Sequence, residues 1–246
     1  MSMKAFYKNK LIQFSILAVI IFFYQKFVSK IGWIVAALFD YSAIDKEGLF
    51  MTVSVHHIVM LLISLGIALT LQETNHLDFK LTPKNDKMGI RYAIIYCFGI
   101  LIYNCIWYIV LGFMLNTIAV YDYELNGINV CGTLGFQLFL SGTAEELMFR
   151  ALPIVCFKAL CRNTSKITDI SILLITSILF TIVHINSAIP IGSQLYSLAY
   201  VFFNGIIFGI TYIRSNSVIY PIIMHGVGNF ISVGGCYVYM FFSSNI

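Results

Sequence analysis

Charged side chains are scarce in this chain of 246 residues, at 11% against the roughly 25% that is typical of soluble proteins. Hydrophobic residues make up 59% of the chain, and the mean hydropathy is +0.88. This shortage of charge excludes an ordinary soluble domain. The composition predicts an integral membrane protein, with residues 1–246 forming a single membrane domain.

Cysteine pairs of the CxxC kind are also absent, although the chain contains six cysteines. Nearly all six lie in apolar segments, which is typical of small buried hydrophobic side chains and argues against a disulfide framework or a cysteine metal site. The formal net charge is +4, and we assign this small surplus to loops that set membrane orientation. We therefore expect the lipid bilayer, and no nucleic acid, as a partner.

Long apolar runs predict an all-α, polytopic transmembrane helical bundle of about seven spans, with six to eight as the open range. The seven runs cover residues 11–28, 50–71, 89–115, 131–157, 168–189, 195–213 and 217–241. Polar groups that are unusual inside a membrane fall after residue 130. The sequence therefore predicts an active site inside the membrane among the last four spans.

The distribution of lysine and arginine predicts the orientation of this bundle. With the N-terminus in the cytoplasm, the outer side holds only Lys26, Lys30 and Lys46, and Arg150 lies within a span. The inner side then holds Lys4, Lys8, Lys10, Lys80, Lys84, Lys87, Arg91, Lys158, Arg162, Lys166 and Arg214. Positive residues concentrate on the cytoplasmic side of membrane proteins. We expect a multi-pass protein of a cell membrane. The chain is rich in Ile and Asn and uses Lys more often than Arg, and this composition indicates a bacterial plasma membrane.

Three charged residues, Glu145, Glu146 and Arg150, interrupt the otherwise apolar run 136–157. Each charge near the centre of a bilayer costs about 2.5–3.5 kcal/mol on insertion scales, so such a cluster must face protein or a water-filled cavity. Glu146 and Arg150 are four residues apart and share a helix face, which predicts an ion pair. Glu145 points about 100° away around the helix and remains the carboxylate without a local partner. The small residue Gly142 before the pair would let a second helix approach closely.

Two later runs carry imidazoles that we expect at a similar depth. His225 and Asn229 are four residues apart on the last run, and their side-by-side donors suit the oxyanion of amide hydrolysis. His184 follows Phe180 by four residues on the fifth run. It would hold a water with Glu145, or Glu145, His184 and His225 would bind a metal such as zinc; both alternatives stay open.

Simpler interpretations exist for each residue taken alone. An ion pair such as Glu146–Arg150 is usually structural, and a single histidine inside a membrane often only bridges two helices. We assign structural or solvated roles to His56 and His57, at the start of the second run, and to His76 in a loop.

The ordered combination is more specific than any single motif. Glu145-Glu146-x-x-x-Arg150, then Phe180-x-x-x-His184, then His225-x-x-x-Asn229 resemble the three motifs of the CPBP family, the CAAX-prenyl proteases and bacteriocin-processing enzymes. The resemblance covers residues 131–241, which it marks as a CPBP-like catalytic core. Two other types of intramembrane protease lack support, because the sequence contains neither HExxH nor GxGD.

This resemblance implies an intramembrane endopeptidase. By motif, Glu145 would activate water, His184 would position it, and His225 with Asn229 would stabilise the oxyanion. Glu146 and Arg150 would hold these residues in place without touching the substrate. The motifs fix no cofactor, and zinc stays open. The expected substrate is a membrane-associated peptide or lipidated protein, preferably a bacterial peptide pheromone or bacteriocin precursor. A non-catalytic bacteriocin immunity or binding protein is the alternative, and a proton-coupled transporter is a more remote one.

Overall fold

The computed structural model describes residues 10–161 and 165–243. Within these residues the chain forms seven long helical segments and no strand, which confirms the predicted all-α bundle. Six of the seven have the length and hydropathy to cross a membrane. The segments are α1 Lys10–Ala36, α2 Met51–Asn75, α3 Asp86–Trp107 (continued by a π-helical turn, Tyr108–Met114), α4 127–159, α5 Lys166–Val183, α6 Ile191–Ser215 and α7 Ile219–Ser243.

The remaining segment, α4, is divided by two π-helical turns. Its pieces are Gly127–Phe136, the π turn Gln137–Ser141, Gly142–Glu146, the π turn Leu147–Ala151, and Leu152–Ala159. The short α-helical piece between the two turns carries Glu145 and Glu146. Single π turns inside α-helices are frequently found at functional sites, because they change the direction in which neighbouring side chains point.

Some predicted span ends differ from the observed ones. The first helix continues to Ala36, so Lys26 and Lys30 lie within α1 and not beyond it. The fifth helix ends at Val183, before the predicted end at residue 189, which puts His184 just outside it. Lys4, Lys8 and Arg162, which contributed to the charge count, lie outside the described residues, and the orientation of the bundle stays a prediction.

Local signals in the sequence explain where several helices begin. The side chains of Asn85, Asn126 and Ser165 accept hydrogen bonds from backbone N–H groups in the first turns of α3, α4 and α5. The Asp45 carboxylate accepts backbone N–H bonds from Leu49, Phe50 and Met51 at the start of α2. These acceptors satisfy donors that would otherwise remain without partners at helix N-termini.

The segment α4 lies at the centre of the bundle. Around it α1 packs along α2, α3 along α7, and α5 along α6, while the middle of α4 contacts both α2 and α7. Glycines permit the close approach of α4 and α7, as the sequence predicts for Gly142. A Cβ at Gly142 would lie 2.9 Å from the Ile222 carbonyl oxygen, and one at Gly226 would overlap the Leu138 carbonyl oxygen. Large apolar side chains such as Phe23 and Phe98 face outward, as contact with lipid requires.

Candidate active site

Three imidazole rings surround the carboxylate of Glu145. The Nε2 atom of His57 lies 3.3 Å from Glu145 Oε1. On the other carboxylate oxygen, Oε2, the Nε2 atoms of His184 and His225 lie at 3.9 and 3.8 Å. Glu145 and the three histidines come from α4, α2, the end of α5 and α7. The tertiary fold therefore brings them together, and spacing along the chain does not.

Each of these imidazoles is oriented by a hydrogen bond from its Nδ1 atom. The acceptors are the Val53 carbonyl for His57, at 2.8 Å, and the Phe180 carbonyl for His184, at 2.7 Å. For His225 the acceptor is Glu146 Oε1, at 2.8 Å. A carbonyl or carboxylate oxygen can only accept, so each Nδ1 carries a proton. Every Nε2 atom is thereby turned toward Glu145.

The predicted ion pair of Glu146 and Arg150 is present and fully buried. Arg150 Nε lies 3.4 Å from Glu146 Oε2, and both side chains have 0% exposure. The guanidinium also lies over the Phe180 ring, 4.0 Å from its centroid, which joins α4 to α5 through a cation–π contact. Glu146 therefore links Arg150 on one carboxylate oxygen with His225 on the other.

Asn229 lies one helical turn beyond His225 and lines the same cavity. Its Nδ2 atom donates to Ser141 Oγ over 2.8 Å, which fixes the amide and leaves the second N–H of that group for another acceptor. The ring of Phe208 stacks on His225, with 5.2 Å between the centroids. Ser141 and Phe208 were not among the predicted site residues, and both hold a predicted one in place.

The cluster forms one wall of a cavity of about 360 Å³. Its volume falls in the range of typical ligand pockets. Glu145, His184, His225 and Asn229, all predicted for the site, line it together. The rest of the wall is Val53, His57, Tyr96, Phe136, Gln137, Ser141, Phe180, Tyr200, Val201, Asn204 and Phe208. The site is therefore not confined to the last four spans, because α2 and α3 also contribute to its wall.

His57 lies beside Glu145, although it was assigned only a structural or solvated role from the sequence. It contacts Glu145 across 88 positions of sequence, so neither helical spacing nor a motif could pair the two. The one available signal was a pair of adjacent histidines, His56 and His57, near the start of an apolar run. Histidine inside a membrane span is a functional candidate by default, and this rule applied to α2 as well.

The proposed metal ligands meet only part of what a metal site requires. An Nδ1 bond to an oxygen acceptor and a free Nε2 are typical of histidines that bind metals. Within residues 10–161 and 165–243, however, no group of three or more His, Cys, Asp or Glu has an arrangement that could hold a metal ion. Glu145, His184 and His225 do not fit zinc in this arrangement, so we derive no catalytic step through a metal.

Residues 127–231 match the family model described as type II CAAX prenyl endopeptidase Rce1-like. This segment is similar to the Rce1-like family. The match confirms the predicted resemblance to the CPBP family, and the Rce1-like segment contains all three motifs. No curated protein and no solved structure matches the chain.

The Rce1-like match and the apolar helices support a multi-pass intramembrane protease of the CAAX type. The Rce1-like match, 127–231, overlaps most of the predicted catalytic core, 131–241, but it does not test those bounds or the roles of individual residues. His57 lies outside both segments.

Proposed function

We propose that the protein is an intramembrane endopeptidase in which Glu145 activates a water molecule to hydrolyse a peptide bond. The observation that carries this proposal is the state of Glu145 Oε2. Among the described residues this buried oxygen has no hydrogen-bond partner, although two imidazole Nε2 atoms lie within 4 Å of it. Polar atoms separated by more than about 3.5 Å are commonly bridged by water. A water in this position would touch the base and face the cavity.

His184 and Glu145 Oε2 are suited to hold that water between them. With its Nδ1 proton on the Phe180 carbonyl, neutral His184 offers a lone pair on Nε2. One water hydrogen would point to Glu145 and the other to His184. The oxygen lone pair is then directed away from both acceptors, toward a carbonyl carbon in the cavity. Glu145 takes one proton as the oxygen attacks, and returns it to the leaving nitrogen when the C–N bond breaks.

His225 and Asn229 are placed to stabilise the negative charge that develops on the carbonyl oxygen. Asn229 has an N–H group left after its bond to Ser141, and His225 directs Nε2 toward the cavity. When both nitrogens of His225 carry a proton, Nε2 also donates while Nδ1 stays on the Glu146 carboxylate. Donors fixed before the reaction stabilise an oxyanion without reorganisation, which is usually the largest catalytic contribution.

Glu146 and Arg150 act through His225. Arg150 neutralises Glu146 in a fully buried setting, and Glu146 holds the imidazole by its Nδ1 atom. We therefore assign both as positioning residues that keep His225 in one tautomer and one orientation, as the sequence analysis expected.

The substrate we favour is a membrane-associated peptide or a lipid-anchored precursor. The family description names a prenyl endopeptidase, which is consistent with a substrate held at the membrane. The composition points to a bacterium, so a peptide pheromone or bacteriocin precursor is the preferred class. A non-catalytic immunity protein could bind a peptide in the same cavity. Binding alone would not require an unpartnered carboxylate oxygen beside two imidazoles, so this feature favours hydrolysis.

Co-expression with candidate precursor peptides tests this function. Wild-type protein is compared with Glu145→Gln and His225→Ala at matched expression, and the peptides are analysed by mass spectrometry. We expect a shortened peptide with the wild type and none with either variant. If no peptide is cut, but wild type and Glu145→Gln retain or neutralise the peptide equally, the protein is a binding protein.

A further inference from the structure

A second, smaller cavity of about 220 Å³ lies on the other side of Glu145. Its walls come mainly from α1 and α2, with Gln25, Lys26, Ser29, Trp33, His56 and Met60 among its residues. The larger cavity has no wall from α1 among the described residues, and it is lined by α3, α6 and α7 together with parts of α2, α4 and α5. Among the residues that the structure describes, only His57, Glu145 and His184 line both cavities, so these three side chains form the partition between them.

Buried polar groups indicate that water fills this smaller cavity. Gln25 is 1% exposed, yet neither its Oε1 nor its Nε2 atom has a hydrogen-bond partner in the described part of the chain. Burying an amide without any partner costs several kcal/mol, at about 2–7 depending on the reference state, so ordered water is the expected partner. Lys26 lines the same cavity from an apolar helix, and a lysine in that setting extends its ammonium group to water.

A chain of hydrogen bonds connects this cavity with the catalytic carboxylate. His56 Nε2 lies 3.1 Å from Ser29 Oγ, and His56 Nδ1 lies 3.2 Å from His57 Nδ1. His57 Nε2 then lies 3.3 Å from Glu145 Oε1. The Trp33 ring stacks on His56, with 4.2 Å between the centroids, and holds that imidazole in place. The path thus runs from Ser29 through two imidazoles to Glu145.

The positions of the protons follow from the acceptors. His57 Nδ1 carries a proton because the Val53 carbonyl beside it can only accept, and His56 Nδ1 can share that proton as an acceptor. His56 is then protonated on Nε2 and donates to Ser29. Since His57 Nδ1 is already protonated, Nε2 is an acceptor, and its contact with Glu145 Oε1 becomes a hydrogen bond when a proton enters between the two atoms.

We propose that the smaller cavity is the water and proton entrance of the active site, with Ser29, His56 and His57 as its relay and the peptide confined to the larger cavity. This inference rests on the proposed function. His57 holds Glu145 by Oε1 and leaves Oε2 to the attacking water. After cleavage, the proton of the new carboxyl group passes to Glu145 and on to His57 Nε2. The Nδ1 proton of His57 moves to His56, and the Nε2 proton of His56 moves to Ser29 or to water.

Within residues 10–161 and 165–243, few charged or titratable groups face His57. His56 lies on its own helix, Glu145 faces it from α4, and Lys26 lines the smaller cavity from α1. His184 and His225 stand on the opposite side of the Glu145 carboxylate. A change in the pH dependence of kcat after substitution of His57 therefore reports on this small set of titratable side chains.

Replacement of Gln25 by leucine is the sharpest test. Leucine has a similar size and removes two buried polar atoms without protein partners, so it should leave the fold intact or raise the melting temperature. The relay predicts a several-fold loss of kcat in Gln25→Leu with an unchanged KM, because water is displaced while the peptide site is untouched. Unchanged kcat in a folded Gln25→Leu protein would overturn the role of this cavity.

Two substitutions of His57 separate a proton relay from simple positioning. Phenylalanine preserves the ring but removes both nitrogens, and we expect kcat to fall by about 10²-fold or more with an altered pH profile. Glutamine can still donate to Glu145 Oε1 but cannot transfer a proton, so kcat should remain low. If His57→Gln restores the wild-type kcat and pH profile, His57 only positions Glu145 and the relay is wrong. His76→Asn, in an exposed loop position where the left-handed backbone favours asparagine, is the control.

The same assay separates failure of this inference from failure of the proposed function. Cleavage by wild type, its loss in Glu145→Gln, and wild-type kinetics in both Gln25→Leu and His57→Phe would overturn only the entrance and relay. Equal results for wild type and Glu145→Gln would overturn the proposed hydrolysis itself, and the relay with it.

Discussion

Arg150 and Glu146 face each other with 3.4 Å between Nε and Oε2 and with no exposed surface on either side chain. The other carboxylate oxygen of Glu146 accepts from His225 Nδ1. One buried carboxylate therefore connects the guanidinium of Arg150 with the imidazole of His225.

Removal of the arginine alone should be strongly destabilising. Arg150→Met leaves the Glu146 carboxylate buried without its cation, and losing one partner of a buried pair costs about 3–5 kcal/mol. The double variant Glu146→Gln/Arg150→Met removes both charges and should recover most of this loss. Thermal unfolding in detergent measures both variants. Equal melting temperatures for the single and double variants would contradict a coupled pair.

A methyl group at Gly226 should separate α4 from α7. The added Cβ would overlap the carbonyl oxygen of Leu138, which is backbone and cannot move away as a side chain would. Gly226→Ala should therefore lower the melting temperature and reduce cleavage. Gly234→Ala, on the same helix, is the control, because its nearest heavy atom would be 3.8 Å away, an ordinary contact. Alanine there should be neutral or stabilising by up to about 1 kcal/mol. Identical behaviour of the two variants would mean that the helices do not meet at Gly226.

Truncation of Asn229 should affect the transition state more than substrate binding. Loss of one oxyanion donor typically lowers kcat by about 10²–10³-fold, and Asn229→Ala should do so with little change in KM. The exposed Asn75→Ala provides a control for the loss of an asparagine side chain. A large rise in KM with normal kcat would instead assign Asn229 to substrate binding.

Chelators should leave cleavage unchanged. In the described part of the chain, the donors around Glu145 do not form an arrangement that could hold a metal ion. Activity of purified protein is measured after treatment with a strong chelator and again after addition of zinc. Inactivation that zinc reverses would show that Glu145, His184 and His225 rearrange around a metal.

Much of the bundle follows from the sequence because bilayer thickness limits the length of apolar helices. The pairing of Glu146 with Arg150 was also predictable, since residues four apart meet on one helix face. The position at which α5 ends, just before His184, was not predictable. The hydrogen bond from His184 Nδ1 to the Phe180 carbonyl, and the turn that follows, depend on contacts that apolar periodicity does not encode.

The contribution of the first three helices was underestimated. Gln25, His56 and Asn104 are buried polar residues there, and His57 contacts the carboxylate of Glu145. In the sequence these residues look like isolated polar residues within apolar runs. Their meaning depends on which helices pack together, and the packing of α1 and α2 against α4 is a tertiary property that no spacing along the chain reveals.

The most direct test of the central claim uses purified protein in lipid nanodiscs with a precursor peptide that the wild type cleaves. Glu145→Gln keeps the size of the side chain and its contact with His57 but removes the base, while Glu73→Gln changes an exposed carboxylate at the end of α2. We predict wild-type rates for Glu73→Gln, and for Glu145→Gln no detectable product but retained peptide binding. Cleavage by Glu145→Gln at the wild-type rate would contradict water activation by Glu145.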